Sequence, residues 1–230
     1  MNSSANKTNF ARLAIACAAI SLLALLSLHF VSPEFDPAWR MISEYALGTH
    51  KWLITMVFIF WAGSSFFIIL LLWNMMSSMW AKVGLALICI SFIGQIMGGI
   101  FDIKTKLHGF AFLLGVPSVP IGALLVSYHL VSKDNWKKYK SRILFSAHST
   151  WISLVFMAIT MVLMISGFQK AGIPMGPDAE PPKTLPDGVI GLNGYANRIL
   201  VICYIYWLIV VARTYLKIEK KGDSINSSAK

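Results

Sequence analysis

The chain has 230 residues, of which 57% are hydrophobic and only 13% are charged, and its formal net charge is +10. Because about a quarter of the residues in a soluble domain are charged, this composition excludes an ordinary soluble globular enzyme. The hydrophobic excess is concentrated in six apolar runs, which cover roughly residues 10–31, 52–73, 83–101, 109–131, 143–165 and 198–216. Each run is close to the ~20 residues that an α-helix needs to cross ~30 Å of hydrocarbon. The runs lack the period-2 alternation of a membrane barrel, so we predict an all-α, polytopic, six-helix transmembrane bundle.

The first run, residues 10–31, is interpreted as a retained helix and not as a signal peptide. It is longer than the 7–15 apolar residues of a signal sequence, and "SLHFVSPEF" after it makes a poor cleavage site. The three cysteines, Cys17, Cys89 and Cys203, lie in three different runs. This distribution favours packing roles and indicates neither a disulfide nor a metal site.

The basic residues are distributed unequally over the two ends of the predicted bundle. With the N-terminus inside, thirteen Lys and Arg residues and three acids fall on the cytoplasmic face, against seven of each on the other face. The positive-inside rule then predicts that both termini are cytoplasmic. The basic runs "KDNWKKYKSR" and "RTYLKIEKKG" are expected to contact anionic lipid headgroups. Nucleic acid is the alternative partner for such runs, but loops this short offer no docking face, so none is expected; the oligomeric state is left open.

The predicted boundaries give a cytoplasmic tail of residues 1–9, a six-helix domain of residues 10–216 and a basic cytoplasmic tail of residues 217–230. Two longer segments connect helices on the extracytosolic side. In residues 32–51, two prolines end the first helix and "AWRMISEYAL" predicts a short interfacial helix. Residues 166–197 contain five prolines at their centre and no apolar periodicity, which predicts an irregular loop or lid.

The third and fourth helices carry packing signals. Gly94 and Gly98 are four residues apart, a spacing that permits close approach of two membrane helices, and Gln95 beside them is expected to form a hydrogen bond across the bundle. Pro117 and Pro120 each remove a backbone donor from the fourth helix. We expect a kink or local unwinding there, which either shapes the packing or frees carbonyls to line a cavity.

Polar residues from four helix ends are expected to share the extracytosolic face. They are Ser43 and Glu44 before helix two, Asp102 after helix three, His108 at the start of helix four, and Asn197 and Arg198 at the start of helix six. A carboxylate can orient a histidine, a histidine can take a proton from a hydroxyl or water, and an arginine can hold a phosphate or carboxylate. Each residue alone is also an ordinary occupant of a helix end, as a cap, an interfacial ion pair or a headgroup contact. We predict that Glu44 or Asp102 lies within salt-bridge distance of Arg198, with His108 on the rim of the same pocket.

The sequence offers no recognised catalytic motif. It contains no HxxxH or HExxH spacing, so neither a metal nor another cofactor is expected. His129 and His148 both fall near the cytoplasmic end, where they are free to pair with each other. A Gly-rich phosphate loop and a G-x-S-x-G elbow are absent as well, so the sequence motifs indicate no catalytic mechanism for an enzyme.

Three strings resemble a known family. "ISEYALG" at residues 42–48, followed by "WLITMVFIFWAGSSFFIILLL", closely resembles the opening signature of the bacterial "domain of unknown function 998" membrane proteins. "GGIFDIK" and "LHGFAF" resemble the family's acidic turn and its downstream step to a histidine, which places Asp102 and His108 at those positions. "GYANRILVICYIYWLIVVA" resembles the family's Gly-x-x-x-Arg entry into the last helix, with Gly194 and Arg198 at the matching positions.

The resemblance covers about residues 10–216, with two departures. The acidic turn reads "FDIKTK", where members often have a proline near the aspartate, and the loop at residues 172–188 is longer than usual. The resemblance implies a multi-pass protein of the bacterial cytoplasmic (inner) membrane. It supplies no reaction, because the function of the family is itself unassigned.

Our hypothesis is an extracytosolic polar site that recognises or modifies a lipid or lipid-linked group. If the protein is an enzyme, we expect His108 to be the base and Asp102 to orient it. Asn197 and Arg198 would hold an anion. Ser43 would be the nucleophile or a substrate contact, and Glu44 a further substrate contact. A small transporter or permease-like protein is one alternative, against which stand the lack of charged residues at mid-membrane and of an inverted repeat. A non-catalytic accessory membrane subunit is the other.

Overall fold

The chain folds into six long α-helices, which a computed structural model describes over residues 3–174 and 182–228. They are α1 (Ser3–Val31), α2 (Lys51–Leu72), α3 (Met79–Ile100), α4 (Lys106–Val131), α5 (Lys140–Lys170) and α6 (Asn193–Ser228). Each of the six contains a stretch that is long and apolar enough to cross a membrane. No strand occurs in the described ranges. The prediction of an all-α, multi-pass membrane protein is confirmed.

The first and last helices extend beyond their apolar runs. α1 begins at Ser3, before the apolar run starts, and α6 continues to Ser228, past the point where the run ends. The polar residues at these ends include no proline, so nothing in the sequence stops the helix where it leaves the hydrocarbon. α5 likewise reaches Lys170 and α6 starts at Asn193, which shortens the predicted loop at both ends. Its central residues, 175–181, lie outside the described residues.

Helices α3 and α4 touch each other backbone to backbone. A Cβ added at Gly94 would lie 2.5 Å from the Gly115 nitrogen, and one added at Gly122 would lie 2.8 Å from the Gly84 carbonyl oxygen. The predicted close approach at Gly94 is therefore confirmed, and its partner is a glycine of α4. Gly98 instead faces the ring of Phe58 on α2, 3.2 Å from the position of an added Cβ.

A chain of hydrogen bonds crosses the bundle at Gln95. The Ser65 hydroxyl of α2 donates to Gln95 Oε1 at 2.9 Å, and Gln95 Nε2 donates to the Ser91 hydroxyl at 3.0 Å. Ser91 in turn donates to the Gly115 carbonyl of α4 at 2.9 Å. The predicted cross-bundle bond of Gln95 is confirmed, and it links α2, α3 and α4 through buried side chains.

The two prolines leave α4 continuous. Helix α4 runs unbroken through Pro117 and Pro120. Because Pro120 has no N–H, the carbonyl of Val116, four residues earlier, loses its helical donor. The Tyr204 hydroxyl of α6 donates to this carbonyl at 2.8 Å. The freed acceptor thus serves the packing of α6 on α4, one of the two uses that the sequence left open.

Residues 32–50 form a segment between α1 and α2. It makes successive turns and then a 3-10 helix, Ile42–Leu47, at the place where a short interfacial helix is predicted. This segment covers the end of the bundle where α1, α3 and α5 end and α2, α4 and α6 begin, which we call the site end.

Candidate functional site

The segment of residues 32–50 is fastened to the first turn of α6. The backbone N–H groups of Gly194 and Tyr195 donate to the Ala38 carbonyl at 2.9 and 3.2 Å. A Cβ on Gly194 would lie 2.5 Å from the Pro37 carbonyl oxygen and 2.6 Å from that of Arg40, so only glycine permits this approach. Helix N–H groups that have no partner within the helix are satisfied in this way by the segment.

Arg198 ties the same segment to two helices. Its guanidinium donates to the Arg40 carbonyl at 2.7 Å, the Gly194 carbonyl at 2.9 Å, the Tyr45 hydroxyl at 3.0 Å and His29 Nε2 at 2.7 Å. Only 7% of the residue is exposed. Because an arginine N–H can only donate, His29 Nε2 must carry no proton, and its Nδ1 donates to the Leu25 carbonyl. A buried guanidinium is thus satisfied by neutral acceptors.

The predicted ion pair of Arg198 with Glu44 or Asp102 is wrong. Glu44 pairs with Arg40 at 2.6 Å, and its other carboxylate oxygen accepts from the Met41 N–H at 2.8 Å. Asp102 is exposed, and its carboxylate accepts from the Lys104 N–H. Arg40 stands four residues before Glu44 and reaches it locally, while backbone carbonyls of the segment occupy the guanidinium of Arg198.

Asp102 does not orient His108. His108 Nδ1 lies 2.9 Å from the Phe101 carbonyl oxygen, which can only accept, so Nδ1 carries the proton and donates. In the neutral ring this leaves Nε2 as a proton acceptor. No described residue hydrogen-bonds to Nε2. The predicted orienting carboxylate is thus replaced by a backbone carbonyl.

A cavity of about 460 Å³ lies beneath the segment at the site end. Its polar wall comes from Arg40, Ser43, Glu44, His108 and Asn197, which line it near the helix ends. The rest of the wall is mainly apolar and aromatic. Its apolar and aromatic members include Phe58, Trp61, Phe112, Met161, Met164, Phe168, Leu200 and Val201. Four of the predicted site residues therefore share one cavity, and Asp102 and Arg198 are not part of its wall.

The cavity reaches towards the middle of the membrane. Trp61 stands ten residues into α2 and Val116 ten residues into α4, which at 1.5 Å per residue is about 15 Å from the helix ends. Its volume falls in the range of small-molecule pockets, roughly 300–1,000 Å³. A cavity with a polar mouth and an apolar body of this depth matches the shape of an amphiphile.

Two polar groups at the mouth keep unused hydrogen-bonding capacity. The Ser43 hydroxyl has no hydrogen-bond partner within residues 3–174 and 182–228, although the residue is 8% exposed. Asn197 Oδ1 accepts from the Ile42 N–H at 3.0 Å, but its Nδ2 has only the sulfur of Met157 at 3.5 Å. A hydroxyl and an amide are thus available to a ligand beside the free Nε2 of His108.

The family described as "Protein of unknown function (DUF998)" matches residues 15–214 of the chain. The chain belongs to this family. The match includes the segment of residues 32–50, all the residues of the cavity wall and the Gly194–Arg198 turn. No curated protein and no solved structure matches the chain.

The site predicted from the sequence did not include three residues that the structure places at the site of this DUF998 protein. Arg40 pairs with Glu44 in the cavity wall, and its spacing of four residues from Glu44 was the signal for that pair. His29 is an ionisable residue in an apolar run, which by itself points to an internal partner. Trp61 lies in the deep part of the cavity, and nothing in the sequence separates it from the other aromatic residues of α2.

The histidines at the other end of the DUF998 bundle serve separate contacts. His129 lies against Ser77, Ser78 and the Met75 carbonyl. His148 accepts from Trp151 Nε1 at 2.9 Å and contacts the Tyr128 hydroxyl at 3.1 Å. The two histidines therefore have different neighbours, and over the described ranges no cluster of metal-ligating side chains is found.

Proposed function

We propose that this DUF998 protein binds one lipid-like amphiphile, with its polar group at the mouth of the cavity and its apolar part in the body. The observation that carries the proposal is the cavity itself, which is about 460 Å³ in volume, polar at one end and apolar to mid-membrane depth. An apolar chain bound there fills the unoccupied space. The van der Waals contacts between the chain and the aromatic wall favour binding.

The polar group of the ligand is held by Ser43, His108 and Asn197. Each of these offers a hydrogen-bonding atom without a strong partner among the described residues. The Arg40–Glu44 pair beside them is neutral as a unit and shapes the mouth. Such a mouth suits an uncharged or zwitterionic head group that offers hydroxyl or carbonyl oxygens.

The mouth faces the extracytosolic side of a bacterial cytoplasmic membrane. This orientation is supported by the thirteen basic residues on the opposite side, against seven on the side of the mouth. The basic side then contacts anionic headgroups of the inner leaflet. The ligand is accordingly a lipid or lipid-linked group of the outer leaflet.

The proposal is tested by the lipid that accompanies the purified protein. Met161 of α5 lines the cavity, whereas Ile159 on the same helix is 54% exposed and does not line it. Met161→Trp fills the cavity, and Ile159→Trp places the same ring in lipid. Mass spectrometry is expected to find one lipid class enriched with wild type and with Ile159→Trp, and lost with Met161→Trp. Lipid that matches the bulk membrane in all three proteins would contradict the proposal.

Modification of the bound head group is a second candidate, and the free Nε2 of His108 favours it. A neutral imidazole with its Nδ1–H fixed by the Phe101 carbonyl can take a proton from a hydroxyl or water. Membranes of cells carrying His108→Ala should then accumulate an unmodified lipid. Asp102→Ala is the control, because Asp102 is exposed and outside the cavity wall. Identical lipid profiles for wild type and His108→Ala would contradict modification of the head group and would leave lipid binding as the function.

A further inference from the structure

The deep part of the cavity contains a hydrogen-bond donor without an acceptor. Trp61 is 4% exposed and lines the cavity, and its Nε1 has no hydrogen-bond partner in the part of the chain that the structure describes. Its ring lies beside Phe58 and Tyr204, each with a centroid distance of 6.1 Å. A buried N–H without an acceptor is costly and rare in native proteins, and phenylalanine would fill much of the same space without that cost. The indole N–H therefore calls for an acceptor from outside the chain.

A second donor of the cavity wall has a spare hydrogen. Ser91 gives its single hydroxyl hydrogen to the Gly115 carbonyl, so the atom of Gln95 that faces Ser91 must be the amide nitrogen. That nitrogen carries two hydrogens and uses one of them on Ser91. Gln95 is 3% exposed and lines the cavity. Both spare donors, on α2 and α3, belong to the wall of the same cavity and have no described acceptor.

The depth of these donors restricts what the acceptor is. Trp61 lies ten residues into α2, about 15 Å from the start of that helix, and Gln95 lies at a similar depth, because it is hydrogen-bonded to Ser65, four residues further along α2. A glycerolipid carries its ester carbonyls directly below the head group, at the level of Ser43 and His108. An oxygen that reaches Trp61 must therefore belong to the apolar part of the ligand.

We propose that the bound amphiphile carries a ketone-type carbonyl oxygen within its apolar part and that Trp61 Nε1–H, assisted by Gln95, donates to it. The inference rests on the proposed function, because it needs an amphiphile in the cavity. A carbonyl accepts two hydrogen bonds, which fits two donors on neighbouring helices. Such a carbonyl is present in an oxidised acyl chain, whose ketone lies among methylene groups well below the head group.

The test uses matched probes on the full-length protein in detergent. The two probes are a monoacylglycerol with a ketone midway along an eighteen-carbon chain and its twin without the ketone. Wild type is expected to bind the ketone about 3- to 10-fold more tightly than the all-methylene twin, the range of one net hydrogen bond.

Trp61→Phe is expected to remove that preference, so that the variant binds the ketone and its all-methylene twin with the same affinity. Trp52→Phe is the matched control, because Trp52 is on the same helix, 56% exposed and outside the cavity wall. Should Trp61→Phe fail to fold, the ratio of affinities in wild type decides alone. Equal wild-type affinity for the two probes would overturn the inference and leave the proposed function standing. Absence of binding by every probe would overturn both.

Discussion

Replacing Gly94 by alanine should force α3 and α4 apart. The added Cβ would lie 2.5 Å from the Gly115 nitrogen, 2.7 Å from the Gly115 Cα and 2.8 Å from the Ala111 carbonyl oxygen. Non-bonded heavy atoms prefer about 3.5–4.0 Å, so the two backbones must separate by about 1 Å. Backbone atoms cannot rotate out of the way as a side chain can. We therefore place the cost at the upper end of overpacking, about 3 kcal/mol.

The helix preference of alanine offsets about 1 kcal/mol of that cost, which leaves about 2 kcal/mol. For a chain of this size the midpoint of thermal unfolding should fall by about 4–8 °C. Tryptophan fluorescence of the protein in detergent measures it. Gly115→Ala is the control, because a Cβ there would lie 3.6 Å from Gly94, an ordinary contact. We expect no loss of stability with Gly115→Ala. An equal loss in both variants, or none in Gly94→Ala, would refute the packing described for α3 and α4.

Three further predictions concern the segment of residues 32–50, the proline carbonyl and the topology. Arg198→Gln should lower the free energy of unfolding by at least about 2 kcal/mol, since it leaves buried acceptors unpaired. Glu44→Gln should lower it by less than half as much. Equal losses in chemical denaturation would contradict this prediction. Tyr204→Phe should lower the free energy of unfolding by about 1 kcal/mol in wild type. In a Pro120→Ala background the loss should be close to zero, because the restored N–H satisfies the Val116 carbonyl. A double-mutant cycle that shows no coupling would contradict this prediction. A reporter fused after the last residue should be cytoplasmic and one inserted at Lys183 extracytosolic, and readouts on the same side would contradict the orientation.

The fold was predictable because the membrane imposes a simple rule on the sequence. A helix must be about 20 apolar residues long to cross the hydrocarbon, so hydropathy locates every one of the six helices. The ends of α1 and α6 were less predictable, because polarity marks where a helix leaves the lipid and not where it stops. Gly94 and Gln95 were predictable as packing residues, since small and amide side chains have few other uses inside a membrane bundle.

The position of the site was predictable from the sequence, but the hydrogen-bond partners of its residues were not. Ser43, His108 and Asn197 do meet at one cavity, because helix ends of alternating direction lie on the same side. The partner of Arg198 was assigned by matching opposite charges, and the structure uses His29, Tyr45 and two carbonyls instead. Which acceptors reach a buried guanidinium depends on how the preceding segment folds back. Sequence spacing alone does not contain that information.

A structure of the protein in a lipid nanodisc tests the central claim most directly. The account predicts elongated density that fills the cavity from the mouth, within hydrogen-bond distance of Ser43 or His108, to the indole of Trp61. In Met161→Trp that density should be gone while the six helices stay in place. A cavity of wild type that is collapsed, or that holds only separate water-sized peaks, would contradict the claim that this protein binds an amphiphile between its helices.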